Sequence, residues 1–151
     1  MPSKPLGAPL RVVLDTNILI SAVINKFGPS RQIYNLFRAG KLCLVTSPFQ
    51  LRELARILRY QRIKKKYRLT ETAIKKIERV IRKYSLVVFS ETVSDVISQD
   101  QDDNRILAAA IEGKADTIVS GDEHLLGLRK YRSISVVSAK NFLQKLGGRL
   151  R

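Results

Sequence analysis

The chain has 151 residues, with 28 Lys and Arg against 13 Asp and Glu and a formal net charge of +15. This length suits one domain, and a hydrophobic content of 44% supplies a core, so a disordered chain is excluded. No apolar run approaches the roughly 20 residues of a transmembrane helix, and we expect no membrane span. The excess of basic residues favours a polyanionic partner, nucleic acid before an anionic membrane surface. A single cysteine, Cys43, fits a reducing cytoplasm.

Five short and mostly apolar runs are typical of strands buried on both faces of a parallel sheet. They span 10–14, 42–45, 86–89, 117–119 and 134–137. Helical segments with capping residues lie between these runs. They span 17–25, 30–39, 47–58, 70–81 and 104–112.

The predicted element order is βαα, βαα, βα, βα, βα, with helices also expected after the last two strands. Alternation of this kind predicts a single α/β domain, with a central parallel sheet flanked by helices in a three-layer α/β/α arrangement. We expect this domain to span residues 10–146. Residues 1–9, which are rich in proline, are predicted as a flexible N-terminal arm, and residues 147–151 as a C-terminal tail.

Four acidic residues follow predicted strands. Asp15 comes directly after the first strand, Glu53 lies about two turns into the helix after the second, Asp103 stands at a helix start, and Asp122 follows the fourth strand. Ligands of open parallel sheets bind at the carboxyl ends of the strands, so these carboxylates are expected to converge. Converging carboxylates repel one another unless a cation neutralises them, and ligands that are all oxygens suit Mg²⁺ or Mn²⁺. The pattern predicts metal-dependent cleavage of phosphodiesters.

Three of these four acids also have a structural interpretation. Asp15 and Asp122 are well placed to cap helices, and Glu53 can form an ion pair with Arg56. His124, close to Asp122, is more typical of an ordinary helix residue than of a general acid, because metal-assisted hydrolysis does not require one. The set of four is therefore a stronger signal than any one member.

Four segments together resemble the motifs of the PIN-domain ribonuclease family. Val-Val-Leu-Asp-Thr-Asn at 12–17 resembles the first motif, and Ser-Pro-Phe-Gln-Leu-Arg-Glu at 47–53 is similar to the second. Two further segments together resemble the third and fourth motifs: Asp-Gln-Asp-Asp-Asn-Arg-Ile-Leu-Ala-Ala-Ala at 100–110 and Thr-Ile-Val-Ser-Gly-Asp at 117–122. The resemblance extends from about residue 11 to residue 137.

This resemblance implies a nuclease that depends on Mg²⁺ or Mn²⁺ and hydrolyses RNA. It places the catalytic and metal-binding residues at Asp15, Glu53, Asp103 and Asp122. Asn17 and Ser120 match supporting positions. Asp103 is preferred over Asp102 because it directly precedes the Asn-x-x-Leu-Ala helix start, and a shift by one position would put Asn104 at the family's acid. Asp100 and Asp102 are more typical of turn and cap residues than of ligands.

The resemblance also has implications for partners. Many relatives are VapC-type toxins, commonly homodimers, that a small antitoxin holds inactive. We therefore expect RNA and an antitoxin with an acidic segment as partners, a homodimer, and a cytoplasmic location without membrane contact.

Residues 52–83 carry 13 basic and 3 acidic residues, a net charge of +10. We call this stretch the basic segment and predict that it contacts RNA, although a solvated helix face is the plainer alternative. The predicted contacts are Arg56, Arg59, Arg62, Lys64, Lys65, Lys66, Tyr67 and Arg68. An acidic antitoxin segment could occupy the same surface.

Three other functions compete with the ribonuclease hypothesis. The first is a catalytically silent RNA-binding PIN domain, and the second is a structure-specific DNA nuclease with the same metal chemistry. The third, a phosphatase with Asp15 as its nucleophile, is disfavoured because Asn17 stands where such enzymes usually have a second Asp.

Overall fold

A computed structural model describes residues 8–90 and 100–149. Residues 1–7 of the predicted arm and 150–151 of the predicted tail lie outside the described residues. Within the described ranges, the helices lack the combination of length and apolar character that a membrane span requires.

The described strands form one sheet in the order β3-β2-β1-β4-β6-β5. Their bounds are β1 (Leu10–Leu14), β2 (Leu42–Thr46), β3 (Leu86–Val87), β4 (Thr117–Val119), β5 (Lys130–Tyr131) and β6 (Ile134–Val137). Neighbouring strands are parallel, except that β5 runs antiparallel to β6. In the centre, Val13 of β1 pairs with Val45 of β2 on one side and Ile118 of β4 on the other.

Helices cover both faces of this sheet, which confirms the predicted three-layer α/β/α fold. They are α1 (Thr16–Ile24), α2 (Pro29–Arg38), α3 (Pro48–Leu58), α4 (Gln61–Tyr67), α5 (Glu71–Tyr84), α6 (Gln101–Glu112), α7 (Glu123–Leu128) and α8 (Ala139–Arg149). Successive residues of β1 point to opposite faces, so Val12 and Val13 belong to two different apolar cores. The Val12 core packs on α1, α2, α3, α5 and α8, and the Val13 core packs on α6 and α7.

Several predicted boundaries differ from the structure. The crossover between β2 and β3 holds three helices, whereas the sequence predicts two. The additional helix is α4, which buries none of its side chains and therefore has no apolar stripe that would reveal it in the sequence. The third strand ends at Val87 and not at Phe89, and the short strand β5 was not predicted. Helix α6 begins at Gln101, three residues earlier than expected, because Asp100 caps it.

The C-terminal helix α8 continues to Arg149, beyond the predicted domain end at residue 146. This last turn contains Gly147 and Gly148, and each interior glycine destabilises a helix by about 1 kcal/mol relative to alanine. Phe142 and Leu146 are nevertheless buried in the core below α8 and hold the helix in place.

The sheet order places a topological switch point between β1 and β4. The chain leaves β1 towards β2 on one side, and it leaves β4 towards β6 on the other. Connections that diverge in this way open a crevice at the carboxyl ends of the two strands, which is where ligands bind in open α/β sheets. Asp15 and Asp122 follow these two strands.

Candidate metal centre

Asp15 lies at the switch point and caps helix α1. Its backbone N–H donates to the Val119 carbonyl at 2.9 Å, which joins the ends of β1 and β4. Carboxylate oxygen Oδ1 accepts a hydrogen bond from the Thr16 N–H at 2.7 Å, and Oδ2 accepts one from the Ser120 hydroxyl at 2.8 Å. The cap expected from the sequence is therefore present, and the second oxygen of the same carboxylate is held by the residue that follows β4.

Ser120 connects the two acids that follow β1 and β4. Its side chain is fully buried, and its Oγ donates to Asp15 while accepting the Asp122 N–H at 2.9 Å. Asp122 in turn caps α7, because its Oδ1 accepts the His124 N–H at 2.7 Å. One hydroxyl therefore fixes the Asp15 carboxylate and the turn that carries Asp122.

Asp122 also belongs to a compact cluster of three carboxylates. Asp100, Asp103 and Asp122 each offer one oxygen, and these oxygens lie within 4.8 Å of one another. Asp103 is buried in the first turn of α6, only 4% exposed, while Asp100 caps that helix by accepting the Asp102 N–H at 2.9 Å. The N-terminal dipole of α6 favours negative charge at this place.

The acid cluster fits a small divalent cation. Oxygens bound to Mg²⁺ at about 2.0–2.1 Å lie about 3 Å apart when adjacent and about 4 Å apart when opposite. The three oxygens, which lie within 4.8 Å of one another, approach that spacing. Carboxylates without thiolate or imidazole partners are the ligand set of Mg²⁺ or Mn²⁺.

Electrostatic repulsion reaches Asp15 as well. Its pKa is raised above the ordinary value, first by burial and then by the negative charges of Asp122 and Asp100. Hydrogen bonds from Ser120 and Thr16 act in the opposite direction and stabilise the carboxylate. A cation at the cluster would relieve this repulsion and favour ionised Asp15.

The surroundings of Glu53 and Asn17 differ from those of the clustered acids. Glu53 lies on α3, where its carboxylate is held by Arg56, with Nε–Oε1 at 3.3 Å and Nη2–Oε2 at 2.6 Å. It is not one of the three clustered acids. Asn17 is exposed in the first turn of α1, and His124 is exposed at the start of α7.

Two residues near the site were missed by sequence reasoning. Asp100 was assigned to a cap, which it forms, but its carboxylate also belongs to the cluster. Gln50 is buried in α3, where its Nε2 donates to the Leu14 carbonyl and its Oε1 accepts the Thr46 hydroxyl at 2.8 Å. It therefore fixes the end of β1 immediately before the first acid. Its signal was a polar residue four positions before Leu54, on the apolar stripe of α3.

The first turn of α6 contacts α3 at the rim of the site. The Arg105 guanidinium lies over the Phe49 ring, 4.3 Å from its centroid, and Arg105 Nη1 is 3.0 Å from Asp102 Oδ1. On α3, the hydrogen bond to Glu53 raises the pKa of Arg56, and the charge of Asp102 adds to this effect. The Glu53–Arg56 pair therefore lies within electrostatic range of Asp102 at the start of α6.

The basic segment is partly neutralised within the protein. Arg59 forms ion pairs with Glu78 and, at 2.7 Å, with Glu71, so that it joins α3 to α5. Lys64 lies 3.7 Å from Glu71. The other predicted basic contacts are exposed: they are Arg56, Arg62, Lys65, Lys66 and Arg68. Tyr67 is half-buried, with the Lys66 ammonium 5.4 Å from its ring centroid.

Comparison with known proteins adds sequence and fold relationships to this geometry. The family model described as PIN domain matches residues 11–124. Uncharacterized protein MJ1680 of Methanocaldococcus jannaschii is 34% identical over 134 residues, covering 87% of this chain and 84% of the relative. A crystal structure of VapBC2 from Rickettsia felis, bound to a DNA fragment from their promoter, superposes with a TM-score of 0.54. That match covers 84% of this chain and 97% of the other at 13% identity, and so concerns the fold.

Proposed function

The chain belongs to the PIN-domain family, and from this premise we propose that it is an endoribonuclease that uses Mg²⁺ or Mn²⁺ to hydrolyse phosphodiester bonds. The observation that carries the proposal is the cluster of Asp100, Asp103 and Asp122, which lies at the topological switch point beside Asp15. The high positive charge of the chain supports a polyanionic substrate.

In this proposal the acids have different roles. Asp103 and Asp122 hold the cation with Asp100, and Asp15 binds it directly or through water. The cation supplies charge neutralisation at the phosphate and activation of water. Glu53 orients the attacking water or accepts its proton, and the Ser120 hydrogen bond holds Asp15 and favours its ionised form. We expect water to attack phosphorus and displace the 3′-oxygen, which leaves a 5′-phosphate and a 3′-hydroxyl and needs no 2′-hydroxyl as nucleophile.

Substitution of single acids tests the metal site. We expect Asp103→Asn and Asp15→Asn to lower Mn²⁺-dependent cleavage of single-stranded RNA by more than about 100-fold, the upper range for losing a supporting group around a metal. Asp102→Asn is the matched control, since Asp102 is exposed and pairs with Arg105 outside the cluster. Cleavage is measured with and without EDTA. Cleavage that survives EDTA, or full activity in Asp103→Asn, would contradict the proposal, and a wild type that binds RNA but does not cleave it with Mn²⁺ would leave RNA binding alone as the alternative.

RNA contact by the basic segment is tested through its salt dependence. We expect replacement of the lysine run 64–66 by glutamine to weaken binding and to reduce the slope of log affinity against log salt by up to about 2, since each phosphate contact to a single strand contributes about 0.7. The control replaces three exposed lysines elsewhere, Lys26, Lys41 and Lys140. Equal slopes in the two triple variants would exclude the segment as the RNA contact. Competition with single-stranded DNA of the same sequence reports the preference for RNA.

We also propose that the protein is the toxin of a toxin–antitoxin pair, acting in the cytoplasm as a homodimer. Support comes from the shared fold with the VapBC2 structure and from the exposed basic segment, which suits an acidic antitoxin segment. The test is co-expression with the product of any short neighbouring gene, followed by a cleavage assay and light scattering. An inhibited complex is the expected result, and a monomer that no neighbouring product binds or inhibits would refute it.

A further inference from the structure

Arg56 holds Glu53 in a two-point contact on the surface of α3. Its Nη2 is 2.6 Å from Oε2 and its Nε is 3.3 Å from Oε1, so the guanidinium occupies both carboxylate oxygens. Arg56 also donates to the Tyr60 hydroxyl and lies 5.5 Å from the centroid of that ring. The side chains remain accessible, with exposed fractions of 54% for Arg56 and 24% for Glu53.

Glu53 lies on the side of α3 that approaches α6. Phe49 contacts Arg105 of α6, and Glu53 follows Phe49 by four residues, which places the two side chains on one face of the helix. Arg56 is close enough to Asp102 to respond to its charge, and Asp103 of the acid cluster is the next residue. Glu53 therefore lies on the face of α3 that meets α6, the helix that carries Asp103, and its oxygens are engaged by Arg56.

We propose that Arg56 is a positioning residue that latches Glu53 until an RNA phosphate takes over its guanidinium, an inference that rests on the proposed nuclease function. A phosphate presents oxygens in the same two-point geometry as a carboxylate, so it competes directly for Arg56. Release of Arg56 frees Glu53 to turn towards the cation. Substrate binding thereby completes the acidic centre, and an empty enzyme keeps Glu53 out of it.

The strength of the latch follows from its exposure. Ion pairs between exposed side chains change equilibria by between about 1.5-fold and 5-fold, and helical pairs of this spacing fall in that range. Such a pair is strong enough to favour the latched state and weak enough for a phosphate to open it. The same factor is the expected gain in metal affinity when the latch is removed.

The test is a double-mutant cycle on Mn²⁺ binding by the full chain without RNA, measured by calorimetry. We expect Arg56→Gln to bind Mn²⁺ about 1.5-fold to 5-fold more tightly than the wild type. In the Glu53→Gln background the same change is expected to give no gain, because the carboxylate that it would release is absent. Arg38→Gln, which removes an exposed arginine from α2, controls for the change in net charge.

Each outcome of this cycle supports or overturns the latch. An equal gain with and without Glu53 would show that Arg56 acts through its charge alone, and no gain in Arg56→Gln would show that it does not restrain Glu53. Both results overturn the latch, whereas the proposed nuclease stands as long as the wild type binds Mn²⁺ and cleaves RNA. A wild type that neither binds Mn²⁺ nor cleaves RNA overturns both proposals.

Discussion

Removal of the Ser120 hydroxyl tests how the site is held together. The buried Oγ donates to the Asp15 carboxylate at 2.8 Å and accepts the Asp122 N–H at 2.9 Å, so Ser120→Ala leaves both groups without this partner. A hydrogen bond to a charged group contributes about 1.5–3 kcal/mol to stability. A chain of this size loses about 2–4 °C in melting temperature per kcal/mol, so we expect a decrease of about 3–12 °C.

The loss should depend on pH with a definite sign. The Ser120 hydrogen bond lowers the pKa of Asp15 against the larger effect of burial, so it stabilises the ionised carboxylate. This contribution is present above the pKa that Asp15 has in the folded protein, and it disappears as the pH falls through that value and the carboxyl becomes protonated. The difference in melting temperature between Ser120→Ala and the wild type is therefore expected to be larger at pH 8 than at pH 4.

The matched control is Ser85→Ala. Thermal denaturation of both variants and of the wild type is measured in EDTA at pH 8 and at pH 4. The Ser85 Oγ is buried and has no hydrogen-bond partner within the described part of the chain, so its removal leaves no group unsatisfied. We expect its melting temperature to equal that of the wild type or to exceed it. A Ser120→Ala protein that melts with the wild type at pH 8, or whose loss does not change with pH, would refute the reasoning.

Two further predictions concern charge and packing. Because the pKa of Asp15 is raised by folding, the ionised carboxylate costs stability progressively as the pH rises above its ordinary value of 3.8. The melting temperature of Asp15→Asn, although this variant is expected to be inactive, should therefore rise relative to that of the wild type between pH 4 and pH 7 in EDTA, and a difference that does not change with pH would contradict a raised pKa. Gly113 packs closely on β2, where an added Cβ would overlap the Val45 Cγ1. Gly113→Ala should therefore lose about 1–3 kcal/mol in urea denaturation, whereas Gly127→Ala, which meets open space, should lose nothing.

The sheet and its flanking helices were predictable because buried positions are apolar and recur in the sequence at the spacing of a strand or a helix. In β1 the buried residues Val12, Val13 and Leu14 form an unbroken apolar run because both faces are covered, and α5 shows its buried Ile74 and Ile81 at helical spacing. Helix α4 buries nothing and has no such pattern. Strand β5 has two residues and pairs only through Lys130 and Tyr131, which is too short for an alternating pattern.

The site was only partly predictable, because chain order gives the edge at which acids meet but not their side-chain partners. Asp15 and Asp122 are expected to converge because both follow strands, and in the structure those strands, β1 and β4, are adjacent and Ser120 is hydrogen-bonded to both residues. The cluster membership of Asp100 depends on how the first turn of α6 approaches β4. The two-point contact of Glu53 with Arg56 depends on side-chain rotamers, and sequence spacing alone permits it without requiring it.

The charge distribution leads to one more consequence for the proposed enzyme. Glu71 and Glu78 neutralise Arg59, so attraction for a polyanion falls to the exposed basic residues of the segment. The acid cluster contains no basic residue and repels phosphates until a cation offsets its charge. Cation and RNA should therefore each increase the affinity for the other by the same factor, as thermodynamic linkage requires of two coupled ligands. The basic segment alone can then bind RNA without the metal, but it cannot bring a phosphate into the acidic centre.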